Sequence, residues 1–496
     1  MLRDHLKTVS WETAIYGLGG AASSLVSFLL LPLYVHYLSP QDYGYLTLFA
    51  ICQSLVQLLA GFGLAAGLFR YYLLAADEGQ RAAVLRTCLW YQIGLIVLTG
   101  MLAGAVAGRA SLGLFGSAGQ HHLMLLASGA ALSFVASQFG FILMRAERRP
   151  LLYVTSQLVR VFLLAGTGIY WVAIAKQSYR GVVIGTFVSE LAVGIGMVCW
   201  LSGHRLLRLP APAPAHFTTR LTKFIGPVFL INLAYFVLTM ADRFFIEHFS
   251  SAEQVGLYSF GSKIGSVVLA GLIMPFSMAV FPYALAISHQ DHFRATYSRI
   301  IHYFMIVAGC ASLTVFAFSR ELTALLAAPA YASAAGVVGL VLLGWLFYGL
   351  YYAISIALDI VERTDLALAA VTSGAVASLL LNWLLIPRWG MYGAALTGCL
   401  ANGLMLALMY RFCQRSYRMP YDLRTCGLLL FLLLALAGCL LAVDRILAPQ
   451  FFRVTAKAGI LLAVLPAALW RLGVPAAADW HTAGNWLKRR IARASP

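Results

Sequence analysis

Charge is scarce in this chain. Asp, Glu, Lys and Arg make up 11% of its 496 residues, and 61% are hydrophobic; a soluble globular domain carries about 25% charged residues. That shortage excludes a soluble protein with one anchor, because apolar segments long enough to cross a bilayer recur from end to end. Acids are the rarer charge: 18 Asp and Glu stand against 35 Lys and Arg, a net charge of +17. In a soluble chain this excess would point to nucleic acid. In a membrane protein it is what cytoplasmic loops collect, so no nucleic-acid partner is expected. The eight cysteines (52, 88, 199, 310, 399, 413, 426 and 439) form no CxxC pair. They read as small apolar packing residues, with no disulfide framework or zinc site. There is no HExxH and no GxSxG. "GLYSFGSK" (256–263) lacks the Gly-Lys-Ser/Thr ending of a P-loop and has no preceding strand. "GFGLAAG" (61–67) reads as small residues that let helices approach. No enzyme, metal or cofactor is expected. Uphill work would draw on an H+ or Na+ gradient or on metabolic pull on the product.

What is present is a series of apolar windows. Fourteen spans are expected, near 11–38, 43–69, 87–108, 122–144, 152–174, 181–201, 224–249, 255–286, 300–318, 332–359, 367–387, 391–412, 426–446 and 455–471. The run after "MLRDHLK" reaches Leu38, too long for a signal-peptide core, and is taken as a retained helix. Short loops such as "SPQD" and "RWGM" make antiparallel hairpins. With the N-terminus inside, inner loops and tails hold 24 Lys and Arg, outer loops 8, and three (Arg160, Arg243, Lys263) lie inside spans. This asymmetry predicts an N-in, C-in, all-α polytopic membrane protein of about 14 transmembrane helices. The end "WHTAGNWLKRRIARA" reads as an interfacial segment on the inner leaflet.

The chain also resembles itself. "HYLSPQDYGYLTLFA" (36–50) aligns with "EHFSSAEQVGLYSFG" (247–261), placing Gly44 on Gly256. "AERRPLL" (146–152) meets "VERTDLA" (361–367) at offset 215, and Gly181 of "YRGVVIG" falls on Gly393 of "MYGAALT". Near-constant offsets predict two pseudo-symmetric six-helix lobes in the same membrane orientation, as in parallel transporter repeats. The expected organisation is an N-terminal lobe (1–201), a cytoplasmic Pro/Ala-rich linker (202–223), a C-terminal lobe (224–412), two extra helices (413–471) and a basic tail (472–496). Two lobes suit alternating access better than a channel, and no filter-like motif is present.

Ionisable residues inside spans carry the functional signal, because a charge at mid-bilayer costs roughly 2.5–3.5 kcal/mol on insertion scales. They are Glu12, Arg160, Glu190, Asp242, Arg243, Glu247, Lys263 and Asp359. Arg243 and Glu247, at i,i+4, are expected to neutralise each other, and Lys263 is a candidate partner for Asp242. Arg160 has no acid three or four positions away. It needs a partner from another helix or an anionic ligand, and a guanidinium suits phosphate bidentately. Glu190 and Glu12 are candidates for proton or sodium coupling, with Glu12 equally readable as an exposed helix-start residue. Asp359 is expected to pair with Arg363 at the helix end. Arg70, in "LFRYY", reads as an interfacial anchor with Tyr71 and Tyr72 or as a substrate contact.

"LPLYVHYLSPQDYGYLTLF", "DRFFIEHFSSAEQVGLYSFGSKI" and "NWLLIPRWGMYGAALTG" resemble, in order, three hairpins of the bacterial polysaccharide transporter family. These are the Wzx-like lipid-linked oligosaccharide flippases of the multidrug/oligosaccharidyl-lipid/polysaccharide exporter superfamily. The resemblance implies a two-lobed bundle around a V-shaped cationic cavity in the bacterial inner membrane. It implies an undecaprenyl-diphosphate-linked oligosaccharide as cargo, moved from the cytoplasmic to the periplasmic leaflet for O-antigen, capsule or exopolysaccharide assembly. A downstream polysaccharide polymerase is an expected partner. Arg160, Arg243, Lys263 and Arg70 are the expected substrate contacts. Glu190, Asp242, Glu247 and Glu12 are the expected coupling or charge-balancing groups.

Other readings stand beside this one. A drug/cation antiporter of the same superfamily would want an acidic cavity without extra arginine. A lipid II flippase for peptidoglycan is chemically closer. A membrane-embedded glycosyltransferase or polymerase would want a large loop bearing acid–base residues, and the longest loops here are roughly 20 residues, short for a catalytic loop. A scaffold would not need charges at the midplane.

Overall fold

A computed structural model describes Val26 and residues 28–116, 118–203, 215–290, 292–446 and 450–467. Glu12, most of the first expected span, residues 204–214 of the expected linker and the basic tail lie outside the described residues. Among the described residues there are helices and no β-strands.

Sixteen α-helices follow one another among the described residues: α1 (Phe28–Tyr37), α2 (Pro40–Gly61), α3 (Leu64–Leu74), α4 (Glu78–Phe115), α5 (His121–Ala146), α6 (Pro150–Ile169), α7 (Ser178–Ser202), α8 (Ala215–Phe249), α9 (Ala252–Val268), α10 (Met274–Ile287), α11 (Phe293–Ala317), α12 (Ser319–Leu326), α13 (Ala335–Ile360), α14 (Thr364–Ser416), α15 (Leu423–Ile446) and α16 (Gln450–Gly459). Among the described residues eleven stretches are long and apolar enough to cross a membrane, against the 14 expected for the whole chain. Part of the difference is in α14. Gly390 sits at φ 51°, ψ −130°, three residues after Pro387, so this stretch is two helices meeting at a kink. It covers the expected spans 367–387 and 391–412. The first and last expected spans are only partly described.

The chain divides into two compact units: residues 1–260 with 326–333 and 374–397, and residues 261–325 with 334–373 and 398–496. In the first unit α5 packs on α7 and α2, and α6 packs on α7. Glycines permit the close α5–α7 approach: a Cβ on Gly140 would strike Met197, and one on Gly194 would meet the Ser133 backbone. Ser39 caps α2 by accepting from the Asp42 amide, with Pro40 at the first helical position. Phe62 and Gly63 break α2 from α3 with positive φ, and Gly63 lies where a Cβ would be 3.0 Å from the Ile225 carbonyl oxygen. In the second unit α11 packs against α13 and α15. Phe276 stacks on Phe304 with ring centres 4.0 Å apart. Lys457, fully buried, bridges Glu321 (2.9 Å) and Asp444 (2.7 Å), tying α12 to α15 and α16.

The sequence repeat has a structural imprint. Gly44 and Gly256, equivalent by alignment, pack on each other's helix starts. A Cβ on Gly44 would fall 1.8 Å from the Ala252 carbonyl oxygen, and one on Gly256 1.9 Å from that of Pro40. The turns after α5 and α13 are also alike. Arg148 (φ 54°) and Glu362 (φ 56°) are left-handed, and the next amides, of Arg149 and Arg363, bond five residues back to Met144 and Leu358. This equivalence has offset 214 and corrects the offset of 215 drawn from letters alone. The left-handed residue is what the backbone repeats; the Glu-Arg dipeptide is not.

Candidate functional site

Two charged clusters sit inside spans of the first unit. Arg160 on α6 reaches across to Glu190 on α7. Its Nε donates to both carboxylate oxygens (3.0 and 3.1 Å), and a terminal nitrogen donates to Oε1 at 2.5 Å. Its guanidinium lies over the Phe134 ring of α5, 4.5 Å from the centroid. Glu190 is 4% exposed, while the Arg160 side chain keeps 19% of its surface accessible. The α6–α7 hairpin explains the match: thirty residues apart in sequence, the pair sits about equally far either side of the turn at 175–177. Beside it, Thr167 and Ser189 share a 2.9 Å hydrogen bond that further fastens α6 to α7. Arg160 therefore has a partner from another helix, one of the two options its spacing left open.

The second cluster is on α8 and the start of α9. An Arg243 terminal nitrogen lies 2.7 Å from Asp242 Oδ1 and also donates to the Thr239 carbonyl. Tyr258 donates its hydroxyl to the other Asp242 oxygen, and Arg243 lies over the Tyr258 ring at 4.9 Å. The expected Arg243–Glu247 pair is thus replaced by Arg243–Asp242. The Arg243 side chain runs back to the Thr239 carbonyl and the Asp242 carboxylate, away from Glu247. Glu247 is half-buried, makes no ion pair among the described residues, and has one carboxylate oxygen without a hydrogen-bond partner.

Lys263 does not meet Asp242. The α8–α9 hairpin turns near Ser250, which sets Asp242 opposite Tyr258, eight residues on either side. Lys263 lies five residues farther along α9, is exposed, and makes no ion pair among the described residues. Arg70 is exposed at the end of α3 and lies over the Phe224 ring at 4.8 Å. Tyr71 beside it donates to the Arg220 carbonyl at 3.3 Å. Asp359 does not pair with Arg363, which binds Asp365 instead (2.9 Å). The left-handed Glu362 ends α13, so helical i,i+4 spacing does not run through Arg363.

The structure adds Phe134 and Tyr258 to the residues named from sequence. Tyr258 was findable by counting outward from the hairpin turn. Phe134 carries no such signal, since it comes from a third helix.

Paired charges in a bundle of apolar helices describe a polytopic membrane protein, and the fold is similar to known ones. It is similar to the lipid II flippase MurJ in an inward closed conformation, with TM-score 0.70 and 12% identity, covering 92% of this chain and 99% of that one. It is also similar to an inward-facing multidrug resistance MATE family transporter of the MOP superfamily, with TM-score 0.65 and 14% identity, covering 79% and 94%. The family model described as polysaccharide biosynthesis protein matches residues 35–336, more than half of the sequence, and the chain belongs to that family. Protein 1 of the Lsg locus of Haemophilus influenzae is 24% identical over 282 residues, which are 55% of this chain. The match spans 65% of that relative's length.

Proposed function

We propose that this protein is a flippase for undecaprenyl-diphosphate-linked oligosaccharide, moving it from the cytoplasmic to the periplasmic leaflet of the bacterial inner membrane by alternating access. The observation that carries this reading is Arg160: a guanidinium inside a span, closed by one carboxylate and still partly accessible. A diphosphate cannot cross hydrocarbon unaided, because stripping its water without replacing the lost hydrogen bonds is prohibitive. A guanidinium offers a planar fork that matches phosphate oxygens. In the empty protein Glu190 occupies that fork and keeps the site neutral. When the diphosphate takes its place, Glu190 is left as a buried carboxylate without its cation and needs a replacement, which an H+ or Na+ supplies. Exchange of partners at Arg160 would thereby couple cargo to an ion gradient. The Asp242–Arg243–Tyr258 cluster is a second station on the same route, and the polyprenyl tail stays in lipid throughout. Membership of a polysaccharide biosynthesis family favours a glycan cargo over the cationic drugs of an antiporter.

The test is lipid extraction and mass spectrometry of cells depleted of the protein. The expected result is accumulation of a polyprenyl-diphosphate oligosaccharide and loss of the matching surface glycan, which would also identify the sugar. Accumulation of lipid II would move the assignment to peptidoglycan. No accumulation, with hypersensitivity to cationic drugs, would replace the flippase by an antiporter.

A further inference from the structure

At the end of the first unit where α3 stops, α4 starts and α5 turns into α6, there is a cavity of about 940 Å³. Arg81, Arg148, Arg149, Tyr72, Glu147 and Trp200 line it, together with Glu78 and Leu73. None of the charges considered above belongs to it. We infer that this cavity is a binding site for the phosphate head group of a lipid, with Arg148 as its principal contact.

Three guanidiniums face two carboxylates here, and the pairing is uneven. Glu147 is engaged at both oxygens: Tyr72 donates to one (3.1 Å) and Arg149 sits against the other (3.0 Å). Arg81 lies beside the Tyr72 ring, 5.8 Å from its centroid. Arg148 is exposed and makes no ion pair among the described residues. It also occupies a left-handed backbone conformation, φ 54°, which a residue with a Cβ adopts at a cost. Glycine would suit that turn better, yet an arginine stands there and projects its charge at the cavity. The repeat supplies a contrast. The equivalent turn after α13 keeps the left-handed residue but places Glu362 at it, and its neighbour Arg363 is satisfied by Asp365. The turn therefore needs no arginine for its own sake.

Two features make the ligand a lipid rather than a free anion. Leu73, in the wall, is 51% exposed, and beside the cavity Leu74 and Leu151 are 67% and 72% exposed, a surface that accepts an acyl or prenyl chain. In the N-in orientation this end lies at the inner leaflet, where phosphates of lipids are held at the level of a snorkelling arginine. The head-group chemistry is shared by bulk anionic phospholipid and by a polyprenyl phosphate carrier. Only the second source rests on the flippase reading.

The test is native mass spectrometry of the purified full chain, with phosphatidylglycerol, undecaprenyl phosphate or inorganic diphosphate added separately. R148G and R81Q should each lower the bound fraction of a phosphate-headed lipid at least fivefold. R148G should keep or raise Tm, since glycine fits the left-handed turn, so loss of lipid cannot be blamed on unfolding. Loss confined to undecaprenyl phosphate would support the site and name the carrier as its ligand. Loss confined to phosphatidylglycerol would support it with a bilayer lipid as ligand, and would hold even if the flippase reading failed. Unchanged adducts of both lipids in both variants, or binding of inorganic diphosphate with no lipid binding, would overturn the inference.

Discussion

Arg160 and Arg243 both stand inside apolar spans, and each answers its surroundings in a different way. Arg160 reaches to a carboxylate on the next helix, so its ion pair lasts only while α6 and α7 hold their spacing. Arg243 folds back onto the adjacent residue and its own helix carbonyl, and Tyr258 fastens the carboxylate from the side. The first pair can part when helices move or when a competing anion arrives. The second travels as a unit with α8. A buried ion pair says little about stability by its presence; what matters is which motion would break it. By that measure the Arg160–Glu190 pair is the releasable one and the Asp242–Arg243 pair the fixed one.

The largest effect that would sharpen this comparison is at the first pair. R160A leaves Glu190 buried and uncompensated, and breaking a buried pair in this way costs about 3–5 kcal/mol. The double replacement R160M/E190L removes both charges and should regain most of the lost thermal stability, because the desolvation cost of the ions disappears with them. Export of lipid-linked oligosaccharide should stay abolished in both variants. Normal export by the stable double variant would show that the pair is only a clamp between α6 and α7.

A smaller effect is expected at the second cluster. Y258F keeps the ring under Arg243 and removes only the hydroxyl that donates to Asp242. Hydrogen bonds to charged groups contribute about 1.5–3 kcal/mol, so Tm should fall less than in R160A, with export lowered less than tenfold. If Y258F instead abolished export while leaving Tm intact, the hydroxyl would have to act on cargo, and the description of the Asp242–Arg243 pair as fixed would fail.

The fold was largely legible in the sequence. Apolar windows marked the helices from α2 to α15, the short α12 excepted, because a bilayer leaves so few solutions for the backbone. The repeat was legible through glycines, since Gly44 and Gly256 stand where no side chain fits. Among the described candidates Glu190 and Asp242 are buried and Arg160, Arg243, Glu247 and Asp359 half-buried, while Lys263 and Arg70 are exposed, and the partners expected within one helix were misassigned. The i,i+4 rule put Arg243 with Glu247 and Arg363 with Asp359, and both choices failed for local reasons: Asp242 and the Thr239 carbonyl take Arg243, and a left-handed residue ends the helix before Arg363. Hairpin register would have found Tyr258 and Glu190, because antiparallel helices bring together residues equidistant from the turn. Phe134 and the arginine-lined cavity after α3 were beyond reach, since each is assembled from helices that no spacing in the sequence relates.

The smallest expected change in stability is at Lys263, and that makes it the sharpest probe of the comparison. It is exposed on α9 and makes no ion pair among the described residues. Substitutions at such positions usually stay within about ±0.5 kcal/mol, so K263A should leave Tm unchanged and any change in export would be electrostatic in origin. A lysine whose ammonium meets the cargo diphosphate would make K263A export more slowly, K263E more slowly still, and K263R near normally, since charge rather than fork geometry would be in use. A lysine that only snorkels toward the interface would tolerate all three. The first pattern would put a third positive charge on the route of Arg160 and Arg243. The second would leave Lys263 out of the proposed route and confine the comparison to the two arginines, one in a releasable pair and one in a fixed pair.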